Sequence, residues 1–96
     1  MILAKRAITQ GDTRRYVIDY KDFLLKGIVL TAAVITNTTP NTTSTIGSVS
    51  LNETNTQVIF FVTSGALNEV FTANIQVIDS NNETVNDIVV FTVVAP

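Results

Sequence analysis

The sequence predicts an all-β protein, an antiparallel β-sandwich of six or seven strands. Thr, Val and Ile supply 38 of the 96 residues, and β-branched side chains fit pleated sheets better than helices. Short apolar or alternating runs are separated by Asn, Gly, Pro and Ser at intervals of about 8–12 residues. A chain of this length buries one modest core. A small β-barrel would show the same composition and strand spacing, and it is the alternative architecture.

The first fourteen residues differ in pattern from the rest of the chain. Residues 1–14 show no sustained period, which predicts an extended N-terminal arm or a first edge strand. Gly11 and Asp12 within this segment form a turn signal. The sandwich is therefore expected to occupy residues 15–96.

The sandwich opens with an alternating run over residues 15–20, which predicts a strand. The side chains on its apolar face are those of Tyr16, Ile18 and Tyr20. Residues 21–27 break the alternation. Here Asp22 is expected to cap one short helical turn, and Gly27 is expected to end it.

The middle of the chain predicts two strands separated by a polar loop. Residues 28–36 are apolar on both faces, which predicts a strand in a central position. Residues 37–45 consist of Asn, Thr, Pro, Ser and form a loop, since Pro40 cannot donate a hydrogen bond to a ladder. Residues 46–51 predict a short strand, and residues 52–55 a turn.

The C-terminal half predicts three strands. They lie at residues 56–63, 70–78 and 84–94, with a turn at 64–68 and a hairpin loop at 79–83. The first is expected to be covered on both faces. The core faces of the other two are Phe71, Ala73, Ile75 and Val77, and then Val89, Phe91 and Val93. Turns at this spacing are typical of an immunoglobulin-like sandwich, although the chain lacks the Cys–Trp–Cys core of antibody domains.

The side-chain inventory excludes most catalytic chemistry. The chain has no His and no Cys, so thiol catalysis, His-based acid–base chemistry and Cys/His metal sites are excluded. Asp19 and Asp22 flank a strand-to-turn junction, which favours a salt bridge and a cap over a catalytic pair. Residues 79–83 are rich in oxygen ligands but lack the glycine and terminal acid of an EF-hand loop, so Asx turns explain them without calcium. The prediction is a non-enzymatic protein without a cofactor or metal.

The charges are distributed unevenly along the chain. All six basic residues lie within the first 26 residues, whereas residues 27–96 hold five acidic residues and no basic one. This asymmetry predicts a basic segment that meets an acidic surface, such as another copy of the chain. Aromatic residues beside Arg are typical of protein interfaces. The residues predicted to bind a protein partner are Lys5, Arg6, Arg14, Arg15 and Tyr16.

Nucleic acid and membranes are not expected as partners. The first 26 residues carry three net positive charges, and the rest of the chain is acidic. So few positive charges would contact few phosphate groups, and binding to nucleic acid would be weak. The uncharged stretch over residues 27–52 is long enough to span a membrane, but only residues 28–35 are apolar. Lys5 and Arg6 follow the first four residues directly, so no apolar signal region develops, and synthesis in a cytoplasm is expected.

Several runs together resemble the fiber–tail adaptor proteins of tailed bacteriophages of the podovirus type. Residues 15–24, RYVIDYKDFL, resemble the Tyr/Val-Asp-Tyr-x-Asp-Trp-Leu opening of that family. Residues 30–33, LTAA, resemble its next strand, and residues 58–66, VIFFVTSGA, resemble an apolar strand that ends in Ser-Gly-Gly. Residues 71–77, FTANIQV, and 91–93, FTV, resemble the last two strands. The chain departs from the family at two places, with Phe23 for Trp and Ala66 for the second Gly.

The resemblance implies a structural protein of the virion. It would lie on the short tail in several copies around the tail axis, where it would join tail fibers to the tail adaptor or tube. Residues 1–16 are expected to face the tail, and the loops at 37–45 and 79–83 the fiber. The alternatives are a capsid decoration protein, another immunoglobulin-like virion protein, or a carbohydrate-binding module of an adhesin.

Overall fold

A computed structural model describes residues 2–96, and every regular element in that range is a β-strand. The seven strands are β1 (Ile2–Thr9), β2 (Thr13–Asp19), β3 (Leu30–Asn37), β4 (Thr45–Leu51), β5 (Gln57–Thr63), β6 (Val70–Asp79) and β7 (Thr84–Val94). The predicted all-β class is therefore confirmed, and the strands agree with the alternating and apolar runs to within a few residues.

The strands form two sheets that pack face to face. One sheet has four strands in the order β1-β7-β6-β3, and the other has three strands in the order β2-β5-β4. An immunoglobulin sandwich divides its second to seventh strands between two sheets in the same way. The architecture is thus an immunoglobulin-like β-sandwich, with a long dimension of 43 Å and cross-sections of 23 and 19 Å.

The core lies between the sheets and consists of the inward faces that the alternation predicts. The buried side chains on β6 and β7 include Phe71, Ala73, Ile75, Val77, Val89, Phe91 and Val93. The opposite sheet contributes Val58, Phe60 and Val62 of β5. Because side chains along a strand point alternately to its two faces, each strand supplies every second residue to this core.

The N-terminal segment is part of the sandwich. Residues 2–9 form β1, an edge strand of the four-stranded sheet, and Ile8 is buried in the core. The boundary expected between residues 14 and 15 falls inside β2. The pairing of β1 with β7 is parallel, whereas the sequence predicted antiparallel pairing throughout. β1 and β7 are the first and last strands, so no hairpin joins them and their pairing need not be antiparallel.

Two predictions about burial are wrong. β3 is an edge strand, not a central one, and Val34 on its outer face is exposed. β5 is central in its sheet but is covered on one face only, since Phe61 on the other face is exposed. Val34 and Phe61 are β-branched and aromatic, and such residues fit a pleated sheet even where one face is only partly covered.

The predicted helical turn after β2 is a run of turns whose cap differs from the expected one. The amide of Leu24 donates to the carbonyl of Tyr20 at 2.9 Å, which closes one α-turn. The carboxylate of Asp19, and not that of Asp22, accepts the nearby amide of Lys21 at 2.8 Å. Gly27 follows with a φ of +82°, the left-handed conformation that glycine adopts without cost.

Candidate protein-binding site

A groove runs between the two sheets where β1 and β2 lie on neighbouring edges. It encloses about 250 Å³, and its apolar floor includes Phe60, Val89 and Phe91. Arg6 of β1 and Tyr16 of β2 line it from opposite sides. The two strands belong to different sheets, so they share no backbone ladder and the groove between them is open.

Tyr16 is held in this groove by aromatic packing. Its ring stacks on Phe60 at a centroid distance of 5.7 Å and forms a T-shaped contact with Phe91 at 5.0 Å. Burial raises the pKa of its hydroxyl above 10.0, and the positive charges of Arg14 and Arg6 oppose that increase. The Tyr16 hydroxyl therefore lies in the field of two guanidinium groups from different strands.

Three basic residues of the two strands converge beside the groove. A second depression, of about 550 Å³, is lined by Arg6, Arg14, Arg15, Tyr16 and neighbours that include Phe61. Arg14 lies 3.9 Å from Asp12 in an exposed pair, and such surface pairs hold their partners weakly. The guanidinium of Arg6 donates to the carbonyl of Lys5 at 3.1 Å.

Lys5 is the one predicted site residue that lies apart from this cluster. It lines neither depression. On β1 it alternates with Arg6 and the buried Ile8, so its side chain points away from the core. The structure thus brings together Arg6, Arg14, Arg15 and Tyr16, which we call the basic cluster, and places Lys5 on the outer face of the four-stranded sheet.

The residue that positions β1 against β2 was not predicted from the sequence. Ser64, almost fully buried, donates its hydroxyl to the carbonyl of Thr9 at 2.7 Å and accepts the amide of Asp12 at 3.1 Å. The Ser64 amide in turn donates to the carbonyl of Asp12 at 3.0 Å. This serine fixes the turn that carries the chain between the sheets, although it lies more than fifty residues away in sequence.

A second missed residue, Glu69, holds two loops together at the same end of the sandwich. Its carboxylate accepts both the amide and the hydroxyl of Thr43, at 2.8 and 2.9 Å. It also accepts the amide and the hydroxyl of Ser44, at 3.1 and 2.7 Å. These bonds lower the pKa of Glu69 to about 2, and the bond from the Thr43 amide has the largest effect. The loop over residues 37–44 is therefore fastened to the β5–β6 connection.

The opposite end carries the hairpin over residues 79–83. The carboxylate of Asp79 accepts the amides of Asn81 and Glu83, at 2.9 and 3.0 Å, as expected of an Asx turn. Within residues 2–96, no three His, Cys, Asp or Glu side chains are grouped so as to hold a metal ion. The same part of the chain contains no helix long and apolar enough to cross a membrane.

Comparison with known proteins gives a match of fold. No protein-family model and no curated protein matches the chain. Among solved structures, a 2,6-sialyltransferase of Photobacterium sp. JT-ISH-224, crystallised with CMP and lactose, matches with a TM-score of 0.60 at 15% identity. The match covers the whole of this chain and 18% of the sialyltransferase chain. At this identity the likeness concerns the fold of the sandwich alone.

Proposed function

We propose that the chain is a non-enzymatic structural protein of a bacteriophage virion, an adaptor that joins tail fibers to the tail adaptor or tube. The proposal takes its biological setting from the resemblance of residues 15–24 and the later strands to fiber–tail adaptor proteins. The observation that carries it is the basic cluster, a group of exposed charges around a partly buried tyrosine. Aromatic and Arg side chains in this combination favour protein binding.

The arrangement suits adhesion without turnover. The cluster is built on two strands whose turn is fixed by Ser64, so its groups are positioned before a partner arrives. Preorganised groups lose less conformational entropy on binding. The guanidinium groups favour an acidic partner surface, and encounter with such a surface weakens as salt increases. Function in this proposal depends on shape and charge, with copies of the chain repeated around the tail axis.

The experiment uses purified particles of the phage that encodes this chain. An antibody against the chain should detect it in intact particles, and the immobilised chain should retain a tail protein from disrupted particles at low salt. The double variant Arg6→Ala/Arg14→Ala should lose that protein, whereas Lys21→Ala/Lys26→Ala, which removes two basic residues elsewhere, should retain it. Absence of the chain from purified particles would overturn the proposal.

A further inference from the structure

The four edge strands of the sandwich differ in how well they are protected. The ladders of β1, β3 and β4 each contain a register shift, between Ile2 and Ala4, between Leu30 and Ala32, and between Gly47 and Ser50. Such irregularities are a common device that prevents edge strands from pairing with other chains. β2 instead pairs with β5 through seven consecutive positions without a shift, and it contains neither Pro nor Gly.

The free side of β2 is therefore a regular strand edge. Within residues 2–96 only β5 pairs with β2, so the backbone groups on its other side have no strand partner. The outward face of this strand presents Arg15, Val17 and Asp19, all of them exposed. Val17 has 42% of its surface exposed. An unprotected edge of this kind is a ready template for a further strand.

The side chains of β2 are complementary to those of a second β2 in the antiparallel direction. When two copies pair about Val17, each Arg15 stands opposite Asp19 of the second copy, and Val17 stands opposite its own equivalent. Cross-strand pairs of opposite charge and of β-branched residues both stabilise a sheet. Tyr16 would face Ile18 and Arg14 would face Tyr20, so no basic residue of β2 lies opposite another. A parallel arrangement would place Arg15 against Arg15.

We propose that two copies of the chain associate through their β2 edges, antiparallel and centred on Val17, to form one continuous six-stranded sheet. Such an interface is isologous, since the same patch serves both copies. The inference deepens the proposed function, on which it rests for the biological role of the assembly, by naming the surface that joins one copy to the next. Arg14, Arg15 and Tyr16 of the basic cluster lie on β2 and pair with the second copy in this arrangement, whereas Arg6 lies on β1.

Sedimentation velocity on the full chain over a range of concentrations tests the surface. The wild type should show a reversible monomer–dimer equilibrium. Val17→Asp, which sets two like charges opposite each other, should weaken dimerisation by about tenfold or more. Val34→Asp is the matched control, because Val34 is an outward-facing valine with 56% exposure on another edge strand. A wild type that stays monomeric at every concentration, or equal loss in both variants, would overturn the proposal.

A charge exchange tests the register. Arg15→Asp and Asp19→Arg should each be monomeric, because each creates two like-charge pairs. Their equimolar mixture should form heterodimers, since both cross-strand pairs are then opposite in charge. Circular dichroism checks that Asp19→Arg folds without the bond that the Lys21 amide donates to Asp19; if it does not fold, the Val17 comparison decides alone. Folded single variants that fail to associate when mixed would contradict this register.

The outcomes separate this inference from the proposed function. A monomeric chain that still binds a tail protein would overturn the β2 dimer and leave the adaptor intact. A chain that dimerises through β2 but is absent from phage particles would overturn the adaptor and leave the β2 dimer intact. The wild type could also bind an acidic peptide of alternating Glu and Val at this edge without binding a second copy of itself. That result would show that the edge accepts a foreign strand, and it would contradict the proposal.

Discussion

The carboxylate of Glu69 makes the stability of the protein depend on pH. Its four bonds to Thr43 and Ser44 lower its pKa to about 2, from an ordinary value of 4.5. A carboxyl whose pKa is lowered in the folded state stabilises that state above pH 4.5 and loses this contribution as the pH falls toward 2. We expect Glu69→Gln to unfold at a lower urea concentration at pH 7 and to lose most of the difference between pH 5 and pH 2.5.

The control for this prediction is Glu53→Gln, since Glu53 is an exposed acidic residue in the β4–β5 turn. Its urea midpoint should stay close to that of the wild type at both pH values. Urea titrations followed by circular dichroism measure all three proteins. An acid-induced loss of stability that is as large in Glu69→Gln as in the wild type would show that other carboxyl groups cause it.

Gly65 is required because the backbone of the β3–β4 loop passes close to it. A Cβ atom at this position would meet the hydroxyl of Thr43 and would lie 2.6 Å from its backbone carbon. We expect Gly65→Ala to lower the free energy of unfolding by about 1–3 kcal/mol, as forced packing does. Gly47→Ala is the control, because nothing lies within 4 Å of a Cβ there. Equal urea midpoints for the two variants would refute this explanation.

At the scale of elements, Ser64 determines how firmly β1 is attached. Replacing it with Ala removes the donor to Thr9 and the acceptor for Asp12, so the turn loses two side-chain bonds to the residue after β5, although the Asp12 amide keeps its bond to the Thr9 carbonyl. We expect a loss of about 1–3 kcal/mol. Amide hydrogen exchange should accelerate in β1 and at the start of β2, with β6 least affected. Ser50→Ala, at an exposed serine of β4, should leave the exchange of β1 unchanged. Uniform acceleration in every strand would instead indicate global destabilisation.

The strands could be predicted from the sequence because alternation is a local property. Phe71, Ala73, Ile75 and Val77 alternate with polar residues, and all four are buried. The edge position of β3 could not be predicted, since it depends on which strands pair, and partners such as β3 and β6 are far apart in sequence. A run that is apolar on both faces is compatible with either a central or an edge position.

The candidate site was likewise predictable from the sequence only where its residues are neighbours in the chain. Arg14, Arg15 and Tyr16 are contiguous, so their proximity follows directly from the sequence. Arg6 joins them only because β1 and β2 lie on neighbouring edges of different sheets, and Lys5 lines neither depression. The contacts of Ser64 with Thr9 and Asp12 link residues more than fifty positions apart. No local pattern identifies such a contact.

At the scale of the whole molecule, the adaptor role proposed above requires that the two sheets behave as one body. Phe91 joins the two sheets, since it stacks on Phe71 at 5.3 Å within its own sheet and forms a T-shaped contact with Tyr16 of the other sheet at 5.0 Å. We therefore expect cooperative two-state unfolding, with coincident far-UV and near-UV transitions and equal calorimetric and van't Hoff enthalpies. For 96 residues the unfolding enthalpy should be about 65 kcal/mol near 60 °C.

Removal of this aromatic contact should weaken both sheets together. We expect Phe91→Ala to cost about 3–5 kcal/mol, a large share of the stability of a small domain, while the transition remains single. Phe61→Ala is the control, because Phe61 is an outward-facing phenylalanine with 38% exposure, and it should cost much less. Separate transitions for the two sheets in scanning calorimetry would contradict a single body. The sandwich could then carry binding sites on both edges without holding them in a fixed relation.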